Sequence, residues 1–189
     1  MAASKVGLDG YCPVCQVNMK QWMAGSSQHQ AAYDGVIYRF PGAEQKAMFQ
    51  ADPAKYAPAL AGDDVVAYAR TGRRTPGKTA YGARYLDRLY FFGTEANKEA
   101  FRANPAQFAN ADLALGGECA VCRVDMNASM AGAAQFTTLH NGLRYQFAGA
   151  QQKQLFDSNP RRYAVTPLTA SPVGSGRVPA GSGSGSGGR

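Results

Sequence analysis

The chain has 189 residues, of which 45% are apolar and 11% aromatic, which is enough to bury a core as one domain or as several small fused units. Its net charge of +7 comes from scattered basic residues, a pattern that argues against a nucleic-acid interface, and no apolar run is long enough to span a membrane. The first segment, MAASKVGLDG, lacks the charged start and apolar core of a signal peptide and so assigns no compartment.

The chain carries one cysteine motif twice. GYCPVCQVNM occupies residues 10–19 and GECAVCRVDM occupies residues 117–126, and these two stretches contain all four cysteines. A single shift along the chain carries the first copy onto the second without a gap, and the same shift superposes two methionines of each copy. The matched residues are Cys12, Cys15, Met19 and Met23 in the first copy and Cys119, Cys122, Met126 and Met130 in the second.

Three aromatic segments are predicted to be β-hairpins, and we expect each to open a repeat unit. They are YDGVIYRF (33–40), YLDRLYFF (85–92) and LHNGLRYQF (139–147). Asp34-Gly35 and Asn141-Gly142 are typical of type I′ turns between two strands. In the middle segment, Asp87-Arg88 is expected to hold the same place.

A helix is predicted after each hairpin, over residues 43–51, 94–103 and 149–157, with Thr94 as an N-cap. A proline follows each helix and disfavours helical geometry at the residue before it, so a short turn should follow. Those residues are Asp52, Asn104 and Asn159. The aromatic residues expected in the core are Phe40, Phe49, Phe92, Phe101, Phe147 and Phe156.

Two landmarks recur in one register along the chain, which predicts an α+β fold of three tandem units, each a β-hairpin followed by an α-helix. The spacing of Phe49, Phe101 and Phe156 is the same as that of the prolines that follow them, Pro53, Pro105 and Pro160. The units are expected at residues 9–60, 61–114 and 115–166, and the Gly-, Ser- and Pro-rich segment 167–189 is predicted to be a disordered tail.

The middle unit lacks the cysteine motif. Asp64 and Ala67 stand where the outer units have cysteines, so this unit offers no dithiol. We expect Asp64 to be a turn or capping residue rather than a ligand.

Residues 8–165 resemble the YHS domain family. The order of DGYCPVC, YDGVIYRF and AMFQADPAKYAP is similar to that family's Cys-Pro-x-Cys start, aromatic hairpin and Phe-x-x-Asp-Pro-x-x-Tyr ending, and GDDVVAYARTG resembles its branch without thiols. The resemblance implies small α+β units associated with heavy-metal handling, found in metal-transporting ATPases and in exported bacterial proteins. It therefore implies an exported or periplasmic location and a metal-transport or redox partner protein.

The two Cys-x-x-Cys pairs predict a site for a soft metal, because each pair directs two soft sulfur donors to one point. Copper(I) bound separately at each pair is slightly favoured over zinc in one Cys₄ site shared by the outer units. A thioether is a soft donor suited to copper(I), so the matched methionines four residues after each pair are candidates too. The candidate metal ligands are Cys12, Cys15, Cys119, Cys122, Met19 and Met126.

The expected function is a non-catalytic soft-metal-binding protein that acts in metal sequestration, delivery or sensing. The alternative is a structural or protein-interaction module stapled by a Cys₄ zinc site or by disulfides, and four inert buried thiols remain a further interpretation. Thiol redox catalysis is not favoured, because the sequence lacks the βαβ pattern that such chemistry uses. His29 and His140 occupy unrelated positions in the repeat and are assigned no ligand or catalytic role.

Overall fold

The computed structural model describes residues 5–165, and the predicted tail at residues 167–189 lies outside the described residues. The fold is α+β, as the sequence predicts, and its elements recur three times in the register set by Phe49, Phe101 and Phe156. Between residues 5 and 165, no helix combines the length and the apolar content needed to cross a bilayer.

The first unit contains three strands and three helices. They are β1 (Lys5–Val6), α1 (Pro13–Met19), β2 (Ser26–Tyr33), β3 (Val36–Phe40), α2 (Ala43–Ala51) and α3 (Pro53–Tyr56). Strands β2 and β3 form the antiparallel hairpin, and β1 adds to the free edge of β3 in parallel.

The second and third units repeat this order without the extra edge strand. The second unit consists of α4 (Val65–Thr71), β4 (Lys78–Tyr85), β5 (Arg88–Phe92), α5 (Glu95–Ala103) and α6 (Pro105–Phe108). The third consists of α7 (Ala120–Asp125), β6 (Ala133–His140), β7 (Leu143–Phe147), α8 (Ala150–Ser158) and α9 (Pro160–Tyr163).

The prediction that each unit opens with its hairpin is wrong, because a short helix precedes the hairpin in all three units. Helices α1, α4 and α7 have seven, seven and six residues, which is too short for a helical period of apolar residues to stand out in the sequence. The first common feature of the units is a tight turn that begins at Gly7, Ala59 and Ala114, slightly ahead of the predicted unit boundaries.

All three predicted hairpins are present, each with a two-residue turn. The turns at Asp34-Gly35 and Asn141-Gly142 have positive φ at both residues, as type I′ geometry requires. The turn predicted at Asp87-Arg88 is wrong by one residue. Leu86 and Asp87 form it, because Tyr85 pairs with Arg88 across the hairpin.

The three longer helices end where the Asx-Pro pairs predict. The Thr94 side chain accepts a hydrogen bond from the Asn97 N–H at 3.2 Å, so Thr94 is the N-cap, as predicted. The turn expected after each helix is itself a one-turn helix that starts at the proline. In the first unit, the Asp52 carboxylate caps it by accepting from the Lys55 N–H at 3.3 Å.

The aromatic residues form the core of each unit, as predicted. Phe49 packs on Tyr38 with ring centroids 4.9 Å apart, and the corresponding pairs in the other units are 4.7 and 4.6 Å apart. The six phenylalanines predicted to be buried are at most 1% exposed, namely Phe40, Phe49, Phe92, Phe101, Phe147 and Phe156.

The buried side chains fall into two clusters. One cluster contains the core of the first unit together with Leu89 and Phe91 of the second and Leu139 of the third. The other cluster is shared by the second and third units. Each unit therefore completes its core with side chains of a neighbour, and the three units pack as one body.

Carboxylates join the units at two places. Asp112, which is fully buried, forms an ion pair with Arg88 and lies 3.5 Å from the Arg144 guanidinium. At the other place, the Asp34 carboxylate accepts hydrogen bonds from the backbone of the third hairpin turn, at Asn141 and Gly142. Burial raises the pKa of Asp34, so its ionised form depends on these backbone donors.

Replacing Leu86→Asn and Asp87→Gly together is expected to raise the free energy of unfolding by about 1 kcal/mol, because both residues hold positive φ in the turn. Leu86 is 82% exposed, so little packing is lost. The opposite exchange, Gly35→Asp, should lower the free energy of unfolding, since an added Cβ there meets nothing within 4 Å and only the backbone is strained. Urea denaturation measures both variants, and an unchanged stability in both would contradict the turn assignment.

Candidate functional site

A left-handed turn precedes each short helix and leads to the residue that caps the start of that helix. Two residues of each turn have φ between 50° and 62°, and the glycine that ends it has φ of 87°, 89° or 91°. These glycines are Gly10, Gly62 and Gly117. A side chain at such a φ would strain the backbone, so the repeated glycine is a requirement of the turn.

Cys12 is the N-cap of α1. Its Sγ accepts a hydrogen bond from the Cys15 N–H at 3.1 Å, and Pro13 occupies the first helical position, where no N–H is needed. The Cys12 N–H donates to the Met23 carbonyl at 2.9 Å, which holds the segment after the helix against its start. The Cys-x-x-Cys pair therefore lies on the first turn of a helix.

Cys119 has the same role in α7. Its Sγ accepts from the Cys122 N–H at 3.3 Å, and its own N–H donates to the Met130 carbonyl at 2.8 Å. The shift that superposes the two motifs in sequence thus relates two sites with the same hydrogen bonds.

The two sulfurs of each pair are in contact. The Sγ atoms of Cys12 and Cys15 are 2.6 Å apart, and those of the second pair are 2.8 Å apart. All four side chains are at most 1% exposed and belong to the apolar clusters. Each pair is therefore a local dithiol enclosed by apolar side chains.

Burial sets the protonation of one thiol in each pair. It raises the pKa of Cys12 to about 12 and that of Cys122 to about 11, and the hydrogen bond to the paired thiol adds to the shift. A redox dithiol needs the opposite shift, since the thiolate is the nucleophile. In the absence of a cation, these two thiols stay protonated at neutral pH.

The two pairs lie in different clusters, Cys12 and Cys15 in that of the first unit and Cys119 and Cys122 in the other. Among residues 5–165, no group of three or more His, Cys, Asp or Glu side chains is placed to hold a metal ion. The structure therefore brings each Cys-x-x-Cys pair together and does not bring the two pairs into one Cys₄ group.

The matched methionines lie at the surface. Met19 is 46% exposed and Met126 is 54% exposed, at the far end of the short helix from the capping cysteine. Met23 and Met130 contribute through their backbone carbonyls, which hold the cysteine N–H groups. These hydrogen bonds explain why the backbone at Met23 and at Met130 has the same arrangement in the two units. They do not require a methionine side chain.

Asp64 occupies the cysteine position in the second unit, and its predicted role as a capping residue is confirmed. One carboxylate oxygen accepts from the N–H groups of Val66 and Ala67, both at 2.9 Å. The other accepts from the Gly93 N–H at 2.8 Å and the Asn97 side chain at 2.7 Å. These four bonds satisfy a carboxylate that is fully buried.

The donors around Asp64 belong to the second unit. In the first unit, the residues equivalent to Gly93 and Asn97 are Pro41 and Gln45. Pro41 has no N–H to donate. The second unit is therefore adapted to a carboxylate, and the first unit could not provide the same four bonds to one.

Three further glycines position the site, and sequence reasoning missed them. Gly25, Gly77 and Gly132 donate their N–H to the glycine carbonyl that ends the left-handed turn, at 2.9, 3.1 and 2.8 Å. A Cβ on any of them would come within 2.4 to 2.5 Å of backbone or Cβ atoms of the hairpin. Their recurrence in the same register as the phenylalanines and prolines was the signal available in the sequence.

Comparison of the chain with protein-family models, with curated proteins and with solved structures found no match. The resemblance to YHS domains therefore stays a prediction carried by the sequence motifs alone. Any functional conclusion depends on the geometry of the two thiol pairs.

Asp64→Ala is expected to lower the free energy of unfolding by about 3–5 kcal/mol, because it leaves four donors without their acceptor in a buried site. Asp52→Ala is a matched control, since Asp52 is an exposed N-cap with a single bond to Lys55, and it should cost about 1 kcal/mol. Urea denaturation compares the two. Equal losses would contradict the structural role assigned to Asp64.

For the reduced protein, the free energy of unfolding is expected to fall as the pH rises from about 8.5 to about 10. Cysteines of the unfolded chain ionise near pH ~8.5, whereas burial keeps the pKa of Cys12 at about 12 and that of Cys122 at about 11. Above pH ~8.5 the unfolded chain thus releases protons that the folded protein keeps, and stability present at lower pH is lost. Urea denaturation at several pH values measures this slope.

The control for this pH series is Cys12→Ser with Cys122→Ser, which removes the two thiols whose pKa is raised. Serine is a good N-cap, so the helix start is preserved at position 12. The variant should show a weaker dependence on pH than the parent. The same slope in both proteins would mean that the thiols are not buried as described.

Proposed function

We propose that this protein is a non-catalytic soft-metal-binding protein with two separate dithiol sites, and that copper(I) is the favoured ion. Cys12 with Cys15 would hold one ion, and Cys119 with Cys122 would hold the other. The observation that supports the proposal is that each helix start places two soft sulfur donors side by side inside an apolar cluster. The sulfurs, now 2.6 and 2.8 Å apart, would move apart to take an ion between them.

The donor set favours copper(I) over zinc. Each pair offers two soft sulfurs, and copper(I) is a soft ion for which thiolate donors are selective. Structural zinc is almost always held by four ligands, and within residues 5–165 no third Cys, His, Asp or Glu joins either pair. Zinc in a Cys₄ site shared by the outer units does not fit the separation of the pairs into two clusters.

The capping geometry also supports a role for sulfur beyond structure. A thiol is a weak hydrogen-bond acceptor, and Ser, Asp or Asn would cap a helix better. The second unit has such a cap in Asp64, with four bonds in place of the single backbone bond to each capping sulfur. The outer units thus keep a weaker cap, together with a second thiol one turn later, and metal binding accounts for both features.

A bound copper(I) ion would supply the positive charge that makes two buried thiolates stable. Because burial raises the pKa of Cys12 and that of Cys122, binding has to release protons to solvent, and the affinity for the ion should rise with pH. The complete burial of the sulfurs also implies that the cluster must open before an ion enters or leaves. This favours sequestration or sensing over rapid delivery.

The second candidate function is a module stapled by two local disulfides. The short distances between the sulfurs favour it, since a small movement would bring each pair to bonding distance. The loop closed by such a bond would have only about four residues, so the chain-entropy model gives about 2 kcal/mol per bond. A staple of this kind would stabilise each helix start but would not join the three units.

Copper bound per chain distinguishes these functions. Fully reduced protein is titrated with copper(I) without oxygen, in competition with a chromophoric copper(I) chelator, and should retain two ions per chain. Cys12→Ser and Cys119→Ser should each retain one, because the two sites are separate and serine is not a soft donor. Asp64→Asn is the matched control and should retain two, since Asp64 is a cap and not a ligand.

The same titration tests the role of the surface methionines. Met19→Leu and Met126→Leu preserve size and apolar character at two exposed positions. A lower affinity in these variants would support the prediction that the thioethers are ligands, whereas an unchanged affinity would assign binding to the cysteines alone.

Loss of all copper on changing either pair would contradict separate sites. No copper in the reduced parent protein would contradict metal binding altogether. If, in addition, the purified protein resists alkylation at all four cysteines after unfolding without reductant, the disulfide function is supported instead.

A further inference from the structure

A cavity of about 310 Å³ lies between the first unit and the hairpin of the second, and none of the four cysteines lines it. Residues at the C-terminal end of α1 and just after it form one side, and strands β4 and β5 form the other. Its volume is at the lower end of the range for small-molecule sites in proteins. The residues that matter for its chemistry are Lys20, Trp22, Arg84, Leu89 and Phe91.

The apolar part of the wall is aromatic. Trp22 and Phe91 have ring centroids 6.2 Å apart, and Tyr11 packs edge-on against Trp22 at 5.4 Å. Trp22 is nevertheless 43% exposed. An indole held by two aromatic neighbours while much of its surface stays open offers a ready stacking face to a flat ligand.

The polar part of the wall is positively charged. Lys20 and Arg84 both line the cavity, and no acidic side chain of the described residues does. Arg84 is fixed in place because its Nη1 donates to the carbonyls of Gln16 and Val17, at 3.1 and 3.2 Å. Within residues 5–165, these bonds use Nη1 only, which leaves Nε and Nη2 without a protein partner.

The aromatic wall is not a requirement of the repeat. The residues equivalent to Trp22 in the other two units are Arg74 and Ser129. Arg74 forms an ion pair with Asp63 and donates to the carbonyls of Leu60 and Asn141, so this position serves packing in the second unit. The fold is thus built in the other units without an indole here, and the cavity is a feature of the first junction.

We propose that this cavity binds a small aromatic anion, such as an aromatic carboxylate or sulfonate. The ring of the ligand packs on the open face of Trp22, beside Leu89, and its acidic group pairs with Lys20 and Arg84. A cavity wall with aromatic faces and two cations, and with no carboxylate from residues 5–165 in its lining, is complementary to an aromatic anion. The same wall would repel a cationic ligand.

Binding of 8-anilinonaphthalene-1-sulfonate to the folded, full-length protein tests the proposal. Energy transfer from Trp22, which is the one tryptophan of the chain, reports binding next to the indole. The probe should bind saturably with efficient transfer, and N-phenyl-1-naphthylamine, which has the same rings without the sulfonate, should bind at least about threefold more weakly.

Two variants and one control assign the site. Lys20→Glu should weaken sulfonate binding at least about threefold, because an exposed cation becomes an anion. Trp22→Ala should weaken binding about tenfold, as judged by the probe's own emission. Lys55→Glu makes the same charge change at an exposed position outside the cavity and should leave binding unchanged. Circular dichroism confirms that each variant is folded.

Equal binding of the charged and neutral probes would overturn the proposal, because the cavity would then be an apolar site without charge selection. Equal weakening by Lys20→Glu and Lys55→Glu would also overturn it, since the probe would be responding to the overall positive charge. If Trp22→Ala fails to fold, Lys20→Glu against Lys55→Glu decides the question alone.

Discussion

Each unit depends on one buried acceptor that caps its short helix. A left-handed turn ending in glycine leads to the cap, and a carbonyl from the segment after the helix holds the cap residue's own N–H. The start of the helix and the segment that follows it therefore meet at a single residue, which is Cys12, Asp64 or Cys119. The residue at this capping position must accept a hydrogen bond in a place that water does not reach. Only a few types of side chain can do so.

That constraint has two solutions in this chain, and they differ in chemistry. Asp64 satisfies it with a carboxylate whose four donors come from its own unit, and it gains stability without leaving a reactive group. The outer units satisfy it with sulfur and place a second sulfur in contact with the first. Burial raises the pKa of Cys12 and that of Cys122, so without a cation these two thiols stay protonated. The same position that completes the fold in one unit thus offers a pair of sulfur donors in the others. In the first unit, α1 has the dithiol at its start and the aromatic, basic cavity at its end.

The sequence predicted the parts of the fold that follow from local, repeated chemistry. The residues concerned act only on the chain within a few positions of themselves, so their positions and roles were confirmed. They are Asp34-Gly35, Asn141-Gly142, Thr94 and the Asx-Pro pairs. The short helices were missed because one or two turns carry no readable period, and the middle turn was misplaced because Leu86 is not a residue that favours positive φ. For the candidate site, the pairing of the cysteines within each motif was predictable from their spacing. Their burial, the separation of the two pairs and the donors of Asp64 depend on how the units pack, which no single motif encodes.

The central claim is that the protein has two independent sulfur sites, one in each outer unit. Copper K-edge X-ray absorption of the reduced, fully loaded protein tests it most directly, because it reports both the neighbours of each ion and any second ion close by. Two or three sulfur neighbours, without a metal neighbour, are expected for ions held by separate Cys-x-x-Cys pairs. Four sulfurs around each ion, or a copper neighbour in the same site, would contradict the claim, since either would require the two pairs to meet.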